Sequence, residues 1–268
     1  MAGLRILLLG GTTEASALTR SLVGDARFDA TLSLAGATRA PAPSPLPRRI
    51  GGFGGIDGLL AWLRDHRTEA LIDATHSFAT RISAHAAAAA ERADIPRLLV
   101  CRPPWTPKPG DRWTHHATLE DAAAALGPAP RRVLLTIGRK DLGPFAARPW
   151  HRYLIRSVDA PPPDTLPPGA TVIAARGPFD LAAECALLRA HAIDVLVTKN
   201  SGGSATAAKL EAARALGIPV AMIDRPPQPA GQTVPDAEAA LAWLAALHHA
   251  TSSEPGATSP AADSVSTP

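Results

Sequence analysis

Apolar residues along this chain keep two alternating rhythms. Compact apolar runs occur at 4–9 (LRILLL), 28–34 (FDATLSL), 69–73 (EALID) and 97–101 (RLLVC), each of a length and composition that reads as a buried strand. Between them, 13–24, 55–66 and 79–93 place Ala and Leu at helical spacing, so each predicts a helix with one apolar stripe. The stretch RPPWTPKPGDRWTHH (102–116) then breaks the rhythm, because its prolines and glycine continue neither element. After a short helical pattern near 119–126 and the turn GPAPRR, a second series begins. It has strands at 132–136, 151–156, 171–175, 193–198 and 219–223, and helices near 179–191, 204–216 and 235–247. A proline-rich spacer, VDAPPPDTLPPGA, interrupts it.

Strand–helix alternation requires parallel sheets covered by helices on both faces. The pattern predicts an α/β chain of two Rossmann-like, doubly wound domains, 1–128 and 129–248. The last residues, 249–268, have no periodic apolar pattern and are expected to be disordered. In such sheets ligands bind beyond the carboxyl ends of the strands, where the strand order reverses. The unusual residues of this chain do follow strands: GGTTEA (10–15), AGATR (35–39), DATHSF (73–78), TIGRK (136–140), ARGPF (175–179) and TKNSGG (198–203). Together these turns are expected to line one cleft between two domains.

Composition narrows the chemistry. The net charge is +3, and the single Tyr and the absence of basic runs with interleaved aromatics argue against nucleic acid as a partner. No apolar run approaches the ~18 residues of a membrane span. The apolar N-terminal stretch is too short for a secretory signal. Cys101 and Cys185 match no metal or redox spacing. A soluble, cytoplasmic protein without a metal site is expected, with a mild positive excess suited to an anionic ligand.

At GGTTEA, Gly10 and Gly11 allow a sharp turn and close approach to a ligand. Thr12 and Thr13 offer hydroxyls and amides at a helix N-terminus, although either could simply cap the helix. After the second strand, where an acidic residue would select NADH, stand Ser33, Thr38 and Arg39; hydroxyls with a guanidinium suit a 2′-phosphate and favour NADPH. The turn RIGGFGG sets Gly51, Gly52, Gly54 and Gly55 around Phe53, either as a cofactor approach or as a connector. DATHSFA puts Asp73, Thr75, His76 and Ser77 at a strand mouth; Thr75 is counted with the cofactor loop, and His76 is a candidate proton donor or a structural histidine. In the second half Arg139, Arg176 and Lys199 follow strands, with Asn200, Ser201, Gly202 and Gly203 next to Lys199. Convergent cations of this kind suit carboxylates. Glu184 and Lys209 fall inside helical patterns and receive no chemical role beyond possible rim contacts. No nucleophile elbow, P-loop or paired carboxylates are present, which fits hydride transfer, where a cofactor carries the reactive group.

Taken in order, LLLGGTTEA, SLAG, RIGGFGG, DATHSFA, TIGR, ARGPF and LVTKNSGG closely resemble the precorrin-6A reductase family of cobalamin biosynthesis, over about residues 4–226. The resemblance implies NADPH at the first domain and a tetrapyrrole held between the domains. It puts Gly10, Gly11, Thr12, Thr13, Glu14 and 51–55 at the cofactor. It puts Arg139, Arg176, Lys199, Asn200, Ser201, Gly202 and Gly203 at the substrate, precorrin-6A or its cobalt form. His76 or Lys199, or else water or the substrate's own carboxylic acids, would supply the proton that accompanies hydride transfer, and neighbouring pathway enzymes are possible partners for substrate hand-over. Two positions depart from the family pattern. Ala37 stands where Arg commonly follows SLAG, and Ser77 stands where DATHPF has proline. A methyltransferase using S-adenosylmethionine and a non-catalytic two-lobed anion-binding protein are the competing readings.

Overall fold

The computed structural model describes residues 3–36 and 43–252. The chain runs β1 (Leu4–Leu9), α1 (Thr13–Leu22), β2 (Phe28–Leu34), β3 (Arg48–Ile50), α2 (Ile56–Asp65), β4 (Ala70–Asp73), α3 (Thr80–Ala93) and β5 (Arg97–Val100). It continues through β6 (Trp113–His116), α4 (Leu119–Ala124), β7 (Arg132–Thr136), α5 (Gly143–Ala146), β8 (Arg152–Ser157) and β9 (Thr171–Ala174). The last elements are α6 (Leu181–Ala190), β10 (Val195–Lys199), α7 (Ala208–Ala215), β11 (Val220–Ile223), β12 (Gln232–Val234) and α8 (Ala237–Ser252).

Two six-stranded sheets result, ordered β12-β5-β4-β1-β2-β3 and β6-β11-β10-β7-β8-β9. Every strand pair is parallel. The order reverses between β1 and β4 in one sheet and between β7 and β10 in the other, as in doubly wound folds. Alternate residues of the central strands feed opposite layers. Ile6 and Leu8 pack with Leu18, Leu22 and Ile72, whereas Leu7 and Leu9 pack with Leu59, Leu63 and Leu71. In the second sheet Val133 and Leu135 face Phe145, while Leu134 and Leu196 face Leu188 and Leu210.

Sheet membership does not follow a cut at residue 128. β6, from the proline-rich segment that showed no strand pattern, pairs with β11, and β12 near the chain's end pairs with β5. Each sheet thus receives its sixth strand from across the sequence. Helix α8 likewise returns to the first sheet, burying Ala240 and Leu244 beside Leu18 and Leu22. Strands β3, β6 and β12 are only three or four residues long and mostly exposed, so they carry no alternating signal. α8 extends through Ser252, so 249–252, expected in a disordered tail, are helical; 253–268 lie outside the described residues. No described helix is long and apolar enough to cross a membrane.

Candidate functional site

The loop after β1 turns at Gly10, where a Cβ would lie 2.6 Å from Leu32 Cδ1, so this glycine serves packing. Gly11, at φ +126°, has open space where its side chain would be. Thr12 caps α1: its Oγ1 accepts from the Ala15 amide at 3.1 Å and donates to the Ala74 carbonyl at 2.8 Å. The capping role stated as an alternative for Thr12 is therefore real, and its hydroxyl also ties the β1 loop to the β4 loop. Thr13 and Glu14 follow in the first turn, their side chains joined at 3.1 Å. Burial alone would raise the Glu14 carboxyl, but its own amide, the Arg102 guanidinium and the Thr13 hydroxyl hold it below its ordinary value.

At the end of β2, Ser33 is buried and its Oγ accepts from Arg49 Nη1 at 2.9 Å. Arg49 also donates to the carbonyls of Gly51 and Gly52, at 3.0 and 2.9 Å, and lies 3.7 Å above the centre of the Phe53 ring. Gly51, Gly52, Gly54 and Gly55 all have open space where a Cβ would be. Gly58, in contrast, is needed inside α2, because a Cβ there would fall 1.7 Å from the Phe53 carbonyl oxygen. Thr38 and Arg39 lie outside the described residues. The guanidinium seen beside Ser33 belongs to Arg49, which the sequence reading passed over although it opens RIGGFGG.

Behind the β4 loop, Asp73 is fully buried; its Oδ1 accepts from the Thr75 amide and hydroxyl at 3.1 and 2.7 Å, and its Oδ2 has no hydrogen-bond partner among the described residues. Thr75 is thereby held in a side-chain turn. His76 Nδ1 accepts from the Phe78 amide at 3.2 Å, which leaves Nε2 as the protonated nitrogen. Burial, reinforced by Arg102, Lys199, Arg225 and Lys209, pushes the His76 pKa down to about 4, so the ring is neutral at neutral pH.

The two sheets meet through these loops. Arg102, after β5, donates from Nη1 to Glu14 at 3.0 Å and to Thr13 at 3.2 Å, while its Nε donates to the Ser201 carbonyl at 2.7 Å. Arg225, after β11, donates to the carbonyls of Asn200 and Arg102, both at 2.7 Å. Gln228 donates to the Ser77 carbonyl at 2.8 Å. Both arginines begin an Arg-Pro-Pro triplet directly following a strand, a repeated signal that could have marked them in the sequence. Lys199 reaches Asp141 Oδ2 at 2.5 Å and sits 5.1 Å from the Phe78 ring centre, on the loop of the other sheet.

Asn200 clamps Trp105, accepting from its amide at 2.8 Å and donating to its carbonyl at 3.0 Å. Ser201 is buried. A Cβ on Gly202 would lie 2.1 Å from the Pro103 carbonyl oxygen, and one on Gly203 2.8 Å from Arg102 Cδ. These four residues seat the 101–105 crossover. Arg139 lines a cavity of about 390 Å³ at the carboxyl ends of β7, β8 and β9, and exposed Arg176 lies between Ala175 and Gly177 of its wall.

Comparison with known proteins adds a family match, two relatives and a solved structure. Residues 5–245 match the family described as Precorrin-6x reductase CbiJ/CobK. A precorrin-6A reductase of Rhodococcus erythropolis is 51% identical over 244 residues, covering 91% of this chain and 98% of that protein. One from Sinorhizobium sp is 52% identical over 221 residues, 82% of this chain and 85% of that protein. A solved structure described as CobK precorrin-6A reductase superposes with a TM-score of 0.85 at 48% identity, over 91% of this chain and 96% of the other.

Proposed function

The chain belongs to the precorrin-6x reductase CbiJ/CobK family, and from that membership we propose that it reduces precorrin-6A with NADPH in a cleft between its two sheets. Its activity is that of a precorrin-6A reductase of cobalamin biosynthesis. The observation that carries the cleft is the reach of Arg102, which holds the β1 loop through Glu14 and the β10 loop through Ser201. Loops at the carboxyl ends of both sheets are thereby kept side by side, where a cofactor on one can meet a substrate on the other.

The first sheet fits NADPH. Gly11 and 51–55 leave a cradle that Cβ atoms would fill, and the amides at the start of α1 suit a pyrophosphate. Ser33 and Arg49 stand where a ribose 2′-phosphate would be recognised. When bound, NADPH supplies the hydride. The protein's own groups position and protonate. The Lys199 side chain, fixed by Asp141 and packed on Phe78, is our candidate for the group that protonates the reduced ring. Neutral His76 offers an Nε2–H as a hydrogen-bond donor rather than as an acid. Arg139 and Arg176 meet the substrate's acidic periphery. Asn200, Ser201, Gly202 and Gly203 act by seating the crossover beside it.

Stopped-flow loss of NADPH absorbance on mixing with precorrin-6A tests this reading, with NADH as the comparison. The expected result is rapid oxidation of NADPH, with NADH much slower at equal concentration. Binding of S-adenosylmethionine without NADPH oxidation would instead support the methyltransferase alternative, and anion binding without turnover the non-catalytic one. We place this activity in the cytoplasm, in keeping with two unpaired cysteines, Cys101 and Cys185. Hand-over of product to a neighbouring pathway enzyme belongs to the same reading.

A further inference from the structure

The cavity of about 390 Å³ at the ends of β7, β8 and β9 occupies in the second sheet the place that the cofactor cradle occupies in the first. Its chemistry differs. The loop after β7 leads into α5, which has only four residues, so no long helix begins there as α1 does after β1. Side-chain cations stand there instead. Arg156 lies at the end of β8 and pairs with Glu184 of α6, both at least nine-tenths buried. Lys209 of α7 is 5% exposed, lines the same cavity, and makes no hydrogen bond with the described residues. Its ammonium rests 5.1 Å from the Trp105 ring centre. Lys199, beyond the cavity, already has Asp141.

The buried charges do not balance. Arg156 and Lys209 bring two positive charges against the one of Glu184, and a buried charge without a counter-ion is costly. Burial, with Arg156 next in weight, pushes Lys209 down to about 7, as expected for a group short of an anionic partner. Thr206 adds a hydroxyl at the cavity wall, while those of Thr136 and Ser157 are turned to the Val197 and Asp159 carbonyls.

We propose that this cavity is a carboxylate subsite, in which Lys209, beside the Arg156–Glu184 pair, takes the counter-ion the fold leaves out. One missing negative charge matches a carboxylate. Resting on the function proposed above, the carboxylate is one acidic arm of the tetrapyrrole, anchored so that the ring extends toward Lys199 and the cofactor cradle. A free dicarboxylate metabolite has the same chemistry and is the other source to be separated.

The test begins with Lys209→Met, which keeps the length of the side chain and removes its charge. KM for precorrin-6A is expected to rise about 10- to 100-fold, with kcat changed less than about threefold. NADPH affinity, read by nucleotide fluorescence, stays the same, and Lys209→Arg recovers part of the loss. A folded Lys209→Met enzyme with unchanged KM overturns the proposal. So does a variant altered only in thermal stability, because Lys209 would then serve only Glu184 Oε2, which is buried without a partner.

A second measurement uses the unaltered protein. Carbamylation of Lys209 by cyanate, a reagent small enough to enter a cavity of about 390 Å³, is followed by mass spectrometry with precorrin-6A, with its methyl ester, or with glutarate present. Protection by the free acid and not by the ester supports the substrate arm. Protection by glutarate alone overturns that source in favour of a free dicarboxylate, and no protection overturns the subsite altogether. Failure of the functional reading looks different: the unaltered enzyme would then oxidise no NADPH with precorrin-6A, whatever happens at Lys209.

Discussion

Glu14, in the first turn of α1, and Arg102, beyond β5, form an ion pair at 3.0 Å while the same guanidinium holds the Ser201 carbonyl of the other sheet at 2.7 Å. Both side chains are mostly buried, so water screens this pair less than a surface one. Three contacts meet in one planar group, to the Glu14 carboxylate, the Thr13 hydroxyl and the Ser201 carbonyl, and they tie two rows of loops together.

Replacing Arg102 with Ala leaves Glu14 half-buried without its cation and the Ser201 carbonyl without its donor. The expected cost is about 2–4 kcal/mol, measured by urea unfolding. Arg102→Lys keeps a charge but not the forked geometry, and should recover less than half. Equal stability of Arg102→Ala and the parent protein would remove this residue as the link between the sheets.

Arg49→Ala tests the cofactor reading. Loss of a charge-assisted contact to the 2′-phosphate should weaken NADPH about 10- to 100-fold and leave NADH nearly untouched. Fluorescence titration with both nucleotides decides it. If both weaken equally, Arg49 serves only the Gly51 and Gly52 carbonyls it already holds.

His76 makes a pH prediction. Its folded-state pKa, about 4, lies below the ordinary 6.5, so the unfolded chain takes up this proton first as pH falls. Stability from this residue is complete above about pH 6.5, declines as pH drops through the interval to 4, and amounts to roughly 3 kcal/mol over that range. An imidazole titration followed by NMR should show a midpoint near 4; a midpoint near 6.5 would mean the ring is not desolvated.

Lys199→Met should lower kcat for precorrin-6A reduction by about 100-fold or more if its ammonium is the proton source, with NADPH affinity unchanged. A variant retaining full kcat returns the role to water or to the substrate's own acids.

Gly202→Ala should destabilise the fold by about 3 kcal/mol or more, because its φ of +66° is unfavourable for Ala and the new methyl would meet the Pro103 carbonyl at 2.1 Å. Gly52→Ala, facing open space, should change stability little and weaken NADPH instead. Thermal melting with and without nucleotide separates the two glycines.

Much of this protein is settled locally. The central strands could be read from apolar runs such as 4–9 and 132–136 because parallel strands buried on both faces have little room for polar side chains. The loops of the proposed site were legible as unusual too, since glycines and hydroxyls directly after strands stand out against those runs. Tertiary structure alone decided where the short edge strands went. β6 and β12 have too few residues, and too much exposure, for their sequence to name a partner; the unfilled edge of each sheet chose them. It also decided which cation meets which anion. Arg102 finds Glu14 across 88 residues of chain, and Arg49 finds Ser33 from the neighbouring strand, because such contacts are fixed by distance in space, which side-chain periodicity does not encode.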